Sequence, residues 1–193
     1  MTKYLGMYLD ENLNWKCHVE YIINKLVKLR GAFNYLSKVI DDKCIKQLYY
    51  AYVYPYIQYG VEVYGNCGET VIRRLQTQQN KLLKILCQKD RTYGTNQLHK
   101  ELKLLKCKDI YHYFVGIFVY KQQNYMLPEI FNKYYNCNHN ICVRHTRQSK
   151  DLYVPLFRTK VGQNSLRYTG AKLWNNLNEN TQQANSRFSC KKI

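Results

Sequence analysis

Asp41 and Asp42 stand side by side in the stretch Ser37-Lys38-Val39-Ile40-Asp41-Asp42-Lys43-Cys44, behind a hydrophobic residue. Paired carboxylates of this kind can hold two divalent cations and promote phosphoryl transfer. That chemistry needs the pair on a tight hairpin between hydrophobic strands, with a third carboxylate on a neighbouring strand. Here lysines flank the pair, and a helical pattern begins directly after it. The other aspartates, Asp10, Asp90, Asp109 and Asp151, lie in no strand–turn–strand setting. At the start of a helix, aspartates instead accept orphan backbone N–H groups and complement the positive end of the dipole. The pair is therefore expected to cap a helix, at about 1 kcal/mol per cap.

Cys137, His139, Cys142 and His145 place four soft or borderline ligands within "CNHNICVRH". Structural zinc sites join two separated ligand pairs, and this spacing does not, so a solvated Asn-rich loop is the expectation and no metal is assigned. Cys17 and His18 are neighbours, which on a helix points them about 100° apart and rules out a nucleophile–base pair. The nine glycines never form the Gly-rich loop before a helix that cradles a nucleotide. No catalytic residue, metal or cofactor is assigned.

What remains is charge. Thirty Lys and Arg face 13 Asp and Glu, for a net charge of +17, and such an excess attracts polyanions in a salt-sensitive way. Nucleic acid is the leading partner and an anionic membrane surface the second. A-T-rich codons would inflate Lys, Asn, Ile and Tyr together, which is the bland source of the same bias. In "RTKVGQNSLRYTGAKLW", Arg158, Lys160, Arg167 and Lys172 alternate with Tyr168 and Trp174. Cations neutralise phosphates and rings stack on bases; equally, Trp174 could anchor a helix in the core. Arg73, Lys81, Lys84, Arg144, Arg147, Arg158, Lys160, Arg167 and Lys172 are the expected phosphate-contacting residues. The tyrosines between 49 and 64 are expected in the core, with their hydroxyls near its rim.

The elements that must position these residues are mostly helical. Residues 3–10, "KYLGMYLD", read as a short strand with no partner nearby in sequence. Trp15, Val19, Ile22, Ile23, Leu26, Leu29, Phe33 and Leu36 then share one helical face. Ile45, Leu48, Tyr49, Tyr52 and Val53 make a second stripe ending near Pro55. Glu69 to Gln88 is a strong amphipathic helix; Thr95–Leu105, Lys108–Gln123 and a short segment after Pro128 come next. Beyond residue 136 the chain turns polar and irregular, and residues 143–193 hold ten Lys and Arg against two acids. The longest apolar run, Ile110 to Tyr120, is too short to cross a bilayer, and the N-terminus does not have the form of a signal peptide. Eight cysteines without a C-x-x-C pair fit a reducing interior, cytoplasm or nucleus.

Taken together, the stretches resemble the C-terminal part of the reverse transcriptase of non-LTR (jockey-like) retrotransposons. "YLGMYLDENLNWKCHVEYI" looks like that family's passage from palm to thumb, through Tyr4, Leu5, Gly6, Asp10, Leu13, Trp15, His18 and Val19. "LYYAYVYPYIQYGVEVYG" matches through Leu48, Tyr49, Pro55, Tyr59, Gly60 and Gly65, and "LQTQQNKLLKI" through Leu75, Gln76, Gln79, Asn80 and Lys81. Leu127-Pro128 and "VPLFRTKVGQNSLRYTGAKLWNNL" resemble the family's pattern, the latter repeating R-T-x-x-G-x-x-S-x-x-Y-x-G and L-W-N-x-L, and His145-Thr146-Arg147 resembles its H-x-T-R with one residue fewer. Tyr64 stands where the family has Trp, Asn178 where it has Pro, and the tail stops early.

The resemblance implies a mainly α fold: a helical thumb-like bundle with a short N-terminal strand and an irregular basic C-terminal segment. The implied domains are 1–14, a palm-to-thumb remnant; 15–135, the thumb-like domain; and 136–193, the basic segment. It further implies that the catalytic aspartates and their Mg²⁺ belong to an upstream palm, so this chain is not itself an enzyme. Its implied partner is RNA or an RNA–DNA duplex, with no membrane and no small-molecule substrate. The competing reading is a helical protein-interaction module or a transposon relic without activity.

Overall fold

The computed structural model describes residues 1–141 and 149–178. The chain opens on a hairpin: β1 (Thr2–Tyr4) pairs antiparallel with β2 (Met7–Leu9), closed by Tyr4 opposite Met7. Its two loop residues, Leu5 and Gly6, have φ of 44° and 80°. A type I′ turn needs positive φ at both central positions, and its twist matches that of the strands. The lone-strand expectation is thus corrected, because the partner of the first half of "KYLGMYLD" is its second half.

Side chains fasten the hairpin to the helices. The Tyr8 ring lies 4.8 Å from that of Tyr21, the Tyr8 N–H donates to His18 Nδ1 at 3.4 Å, and the Tyr59 hydroxyl donates to the Leu5 carbonyl. Asp10 organises the connection, its carboxylate accepting the Asn14 N–H at 2.9 Å and its carbonyl the Leu13 N–H at 3.1 Å. Leu13 and Trp15 take left-handed backbone angles there.

Helix α1 (Lys16–Leu36) buries Val19, Ile22, Ile23, Leu26 and Phe33, much as the 3.6-residue stripe requires. It packs against α5 (Glu69–Leu86), which buries Val71, Ile72, Leu75, Leu82, Leu83 and Leu86. Arg74 pairs with Glu20, Gln78 with Arg30, and Gln88 with Ser37. The contacts advance together along both helices, so α1 and α5 run in the same sense. Each fully buried aliphatic side chain contributes about 1.5–3 kcal/mol.

Parallel helices need a return segment, and residues 42–64 supply it as α2 (Asp42–Leu48), a π-helical stretch (Tyr49–Val53), α3 (Tyr54–Gln58) and α4 (Val61–Tyr64). Pro55 has no N–H to give and crowds the preceding turn; just before it, the Tyr54 N–H reaches back to the Tyr49 carbonyl. Ile45, Tyr49, Val53, Ile57 and Val61 recur every four residues, and all are buried. On a regular α-helix such a stripe would drift by about 40° per step. The wider π turn takes up part of that drift.

After α6 (Thr95–Leu102), helix α7 (Cys107–Gln123) contains the division between two compact units, Met1–Tyr111 and His112–Ile193. In the second unit, Val119, Tyr120, Tyr135, Leu152, Ala171 and Trp174 form one apolar cluster. The short helix α8 (Lys160–Gln163) leads into α9 (Leu166–Asn175), which supplies Ala171 and Trp174 to that cluster. The chain is therefore mainly helical, and among the described residues it has one small sheet, at the N-terminus. Among the described residues no helix is long and apolar enough to cross a membrane.

Candidate nucleic-acid interface

The stretches that carry the family resemblance are full of polar residues, and most of those have a structural task. In α5, Gln79 is fully buried. Its amide donates to the Tyr49 hydroxyl at 2.7 Å and to the Leu105 carbonyl at 2.9 Å. Gln76 donates to Gln79 and Asn80 and accepts the Cys107 N–H at 2.8 Å. His99 closes the network. Its Nδ1 lies 3.1 Å from the Leu104 carbonyl and its Nε2 lies 2.9 Å from Asn80 Oδ1, and a neutral ring donates to one of these two acceptors. Burial lowers the His99 pKa and raises that of Tyr49, so both stay neutral near pH 7. Buried polar groups are costly unless satisfied. Most of this set is satisfied, through hydrogen bonds that join α5, α6, the α6–α7 loop and the π-helical stretch.

The second unit shows the same pattern. The Thr159 hydroxyl caps α8 by accepting the Gly162 N–H at 3.2 Å, and Ser165 caps α9 by accepting the Tyr168 N–H at 3.3 Å. At Gly170 a Cβ would overlap the Tyr135 hydroxyl, which donates to the Leu166 carbonyl at 2.8 Å. The Asn175 amide donates to the Leu152 carbonyl at 2.8 Å and accepts its N–H at 2.9 Å, as a neighbouring strand would. Trp174 lies in the apolar cluster rather than on the surface, so it offers no stacking face.

Without those residues, the same stretches leave cations. Lys81 is exposed on α5, in line with Arg73 and Lys84 at helical spacing. Arg158, Lys160, Arg167 and Lys172 are exposed on and beside α8 and α9. Lys172 Nζ sits 5.9 Å over the Tyr168 ring, whose other neighbour is Phe157. The ion pairs among the described residues are Arg74–Glu20 and Lys108–Glu69. None of the seven described candidate cations takes part in them. Arg144 and Arg147 lie outside the described residues, as do Cys142 and His145 of the zinc-like cluster.

Lys81 and Lys84 open onto a cavity of about 630 Å³ in the first unit. Arg30 of α1, Lys89 and Arg91 of the loop after α5, and Thr77, Asn80, Ile85 and Thr95 complete its lining, which includes no carboxylate. Lys84 Nζ donates to the Arg91 carbonyl at 2.6 Å, holding that loop against α5. Arg30, Lys89 and Arg91 were not among the expected site residues. Arg30 carried a signal: it sits four residues after Leu26 and three before Phe33, a cation on the apolar face of α1. Lys89 and Arg91 carried none, since a loop has no periodicity to read.

Two other expectations change. Tyr49 and Tyr64 are core residues, but Tyr50, Tyr52, Tyr56 and Tyr59 are exposed. Asp41 takes the cap backbone conformation before α2 and its carbonyl accepts the Cys44 N–H, yet its carboxylate makes no cap hydrogen bond. The side chain of Asp42 lies outside the described residues.

Over 114 residues, 55% of its length, the chain is 29% identical to the RNA-directed DNA polymerase from mobile element jockey of Drosophila funebris, and it spans 12% of that protein. No family model matches the chain. No solved structure matches it. The chain is thus distantly and partially similar to a mobile-element RNA-directed DNA polymerase.

Proposed function

We propose that this chain binds RNA or an RNA–DNA duplex through its phosphates, as a non-catalytic, thumb-like region of a mobile-element RNA-directed DNA polymerase. The observation that carries this reading is the set of unpaired cations. Seven lysines and arginines on two faces, α5 in one unit and α8–α9 in the other, lack any acidic partner among the described residues. Cations without a counter-charge on a folded scaffold repel one another, and binding to a polyanion gains free energy through release of that polyanion's counterions. The polymerase similarity makes nucleic acid the fitting polyanion.

Arg73, Lys81 and Lys84 would meet one run of phosphates, and Arg158, Lys160, Arg167 and Lys172 another. Tyr168 is half-buried and held under Lys172, so it contributes a partial aromatic face. Contacts of this type fix position on a backbone and read little sequence.

Titrating the full chain against an RNA–DNA duplex and an RNA hairpin at 50 to 200 mM salt tests the reading. With six or more phosphate contacts, affinity falls by about 10³ over that range, with little dependence on base sequence. A flat salt response would remove the electrostatic basis of the proposal.

A further inference from the structure

The cavity between α1, α5 and the loop after α5 is more concentrated in charge than a passing backbone requires. Five cationic side chains converge on about 630 Å³ from separate elements: Arg30 from α1, Lys81 and Lys84 from α5, Lys89 and Arg91 from the loop. Thr77, Asn80 and Thr95 add neutral hydrogen-bonding groups. The carboxylates nearest in sequence are not in the lining. Glu101 accepts hydrogen bonds from the Tyr93 hydroxyl at 2.7 Å and from Gln97 at 2.9 Å, with Lys89, which sits 5.0 Å over the Tyr93 ring, acting on it at longer range; neither Glu101 nor Asp90 lines the cavity.

Arg30 adds a second observation. One end of its guanidinium is held by Gln78, while its Nε is buried without an acceptor among the described residues. A buried donor of a charged group left unpaired is costly and needs an explanation. Arg30 also lines the recess, so its charge acts on whatever occupies that space.

Each phosphodiester of a strand carries a single charge. A terminal phosphate carries about −1.5 to −2 near pH 7 and presents three acceptor oxygens. Five cations around one recess match the second kind of group, because a doubly charged group with three acceptor oxygens relieves more of their repulsion at one point than a single phosphodiester does.

We propose that this recess binds a terminal phosphate group, either the 5′-phosphate end of a nucleic-acid strand or a free polyphosphate. Arg30, Lys89 and Arg91 would surround it with Lys81 and Lys84. The inference rests on the nucleic-acid reading above only for the strand-end source, since a free polyphosphate would fill the site without it.

The test uses the full chain and two oligonucleotides of one sequence, ending in a 5′-phosphate or a 5′-hydroxyl, with pyrophosphate as the small probe. The phosphorylated strand should bind about tenfold more tightly, the effect of one or two charge-assisted hydrogen bonds. Pyrophosphate should remove that difference where chloride of equal ionic strength does not. The exposed pair Lys89→Gln and Arg91→Gln should bring the affinity ratio of the two strands close to one. Arg30→Gln, checked for folding by urea unfolding, should do the same. Equal affinity for both strands, with no effect of pyrophosphate, overturns this inference and leaves the broader binding proposal standing. Pyrophosphate binding without oligonucleotide binding supports the recess and overturns the broader proposal. Binding of neither overturns both.

Discussion

Ser165 and Asp41 occupy the same position, the residue before a helix, and the structure gives them different work. The Ser165 hydroxyl accepts the Tyr168 N–H, whereas the Asp41 carboxylate accepts nothing from its helix. Ser165→Ala should therefore cost about 1 kcal/mol in urea unfolding, and Asp41→Ala no more than about 0.5 kcal/mol. Equal losses would mean that Asp41 caps after all. His99 offers a second test at this scale. Burial is the main cause of its lowered pKa, so the folded state holds the neutral ring and the unfolded chain binds the proton more readily. The resulting stability is complete above the ordinary histidine value of about 6.5 and falls as the pH drops below it. The urea midpoint should decrease between pH 7.5 and 5.5, and His99→Gln should flatten that decrease. An unchanged slope in the variant would show that His99 does not set it.

Among the elements, the N-terminal hairpin carries the clearest local cost. Leu5 is an exposed leucine in left-handed backbone, a conformation that disfavours residues with a Cβ unless they are Asn or Asp. Asn-Gly is the preferred pair for a type I′ turn, so Leu5→Asn should stabilise the chain by about 0.5–1 kcal/mol. A loss of stability would show that the Leu5 side chain has a packing role. The long helices α1 and α5 were legible because each presents one apolar stripe over five or more turns. Segment 42–64 was legible as a stripe ending near Pro55, with residues 56–64 as a helical continuation up to "GNCGE". The repeat of four along Ile45, Tyr49, Val53, Ile57 and Val61 continues past the proline, and it becomes readable once the π-helical turn is known.

At the scale of the molecule, the net charge of +17 sets the attraction to polyanions, and the folded units decide where that charge is available. In the second unit, Arg158, Lys160, Arg167 and Lys172 are exposed together. Changing all four to Gln should lower the slope of log affinity against log salt by about 3 to 4, if each meets one phosphate. A slope that stays constant would confine binding to α5 and the recess beside it. Trp174 shows why composition alone misplaces such a surface. In sequence it reads equally as a stacking residue among cations or as the core anchor of a helix, and the apolar cluster decides for the core.

By itself the sequence determined the helical class, the stripes of α1 and α5, and an excess of cations too large for their acidic neighbours. These depend on periodicity and summed charge, which are local or additive. Only the tertiary structure decided that Gln76, Gln79, Asn80 and His99 form a buried network, that "KYLGMYLD" folds back on itself, and that Arg30 meets Lys89 and Arg91 around one recess. Those facts join residues up to some sixty positions apart, and no local pattern encodes which distant donors will share an acceptor or which cations will face the same space.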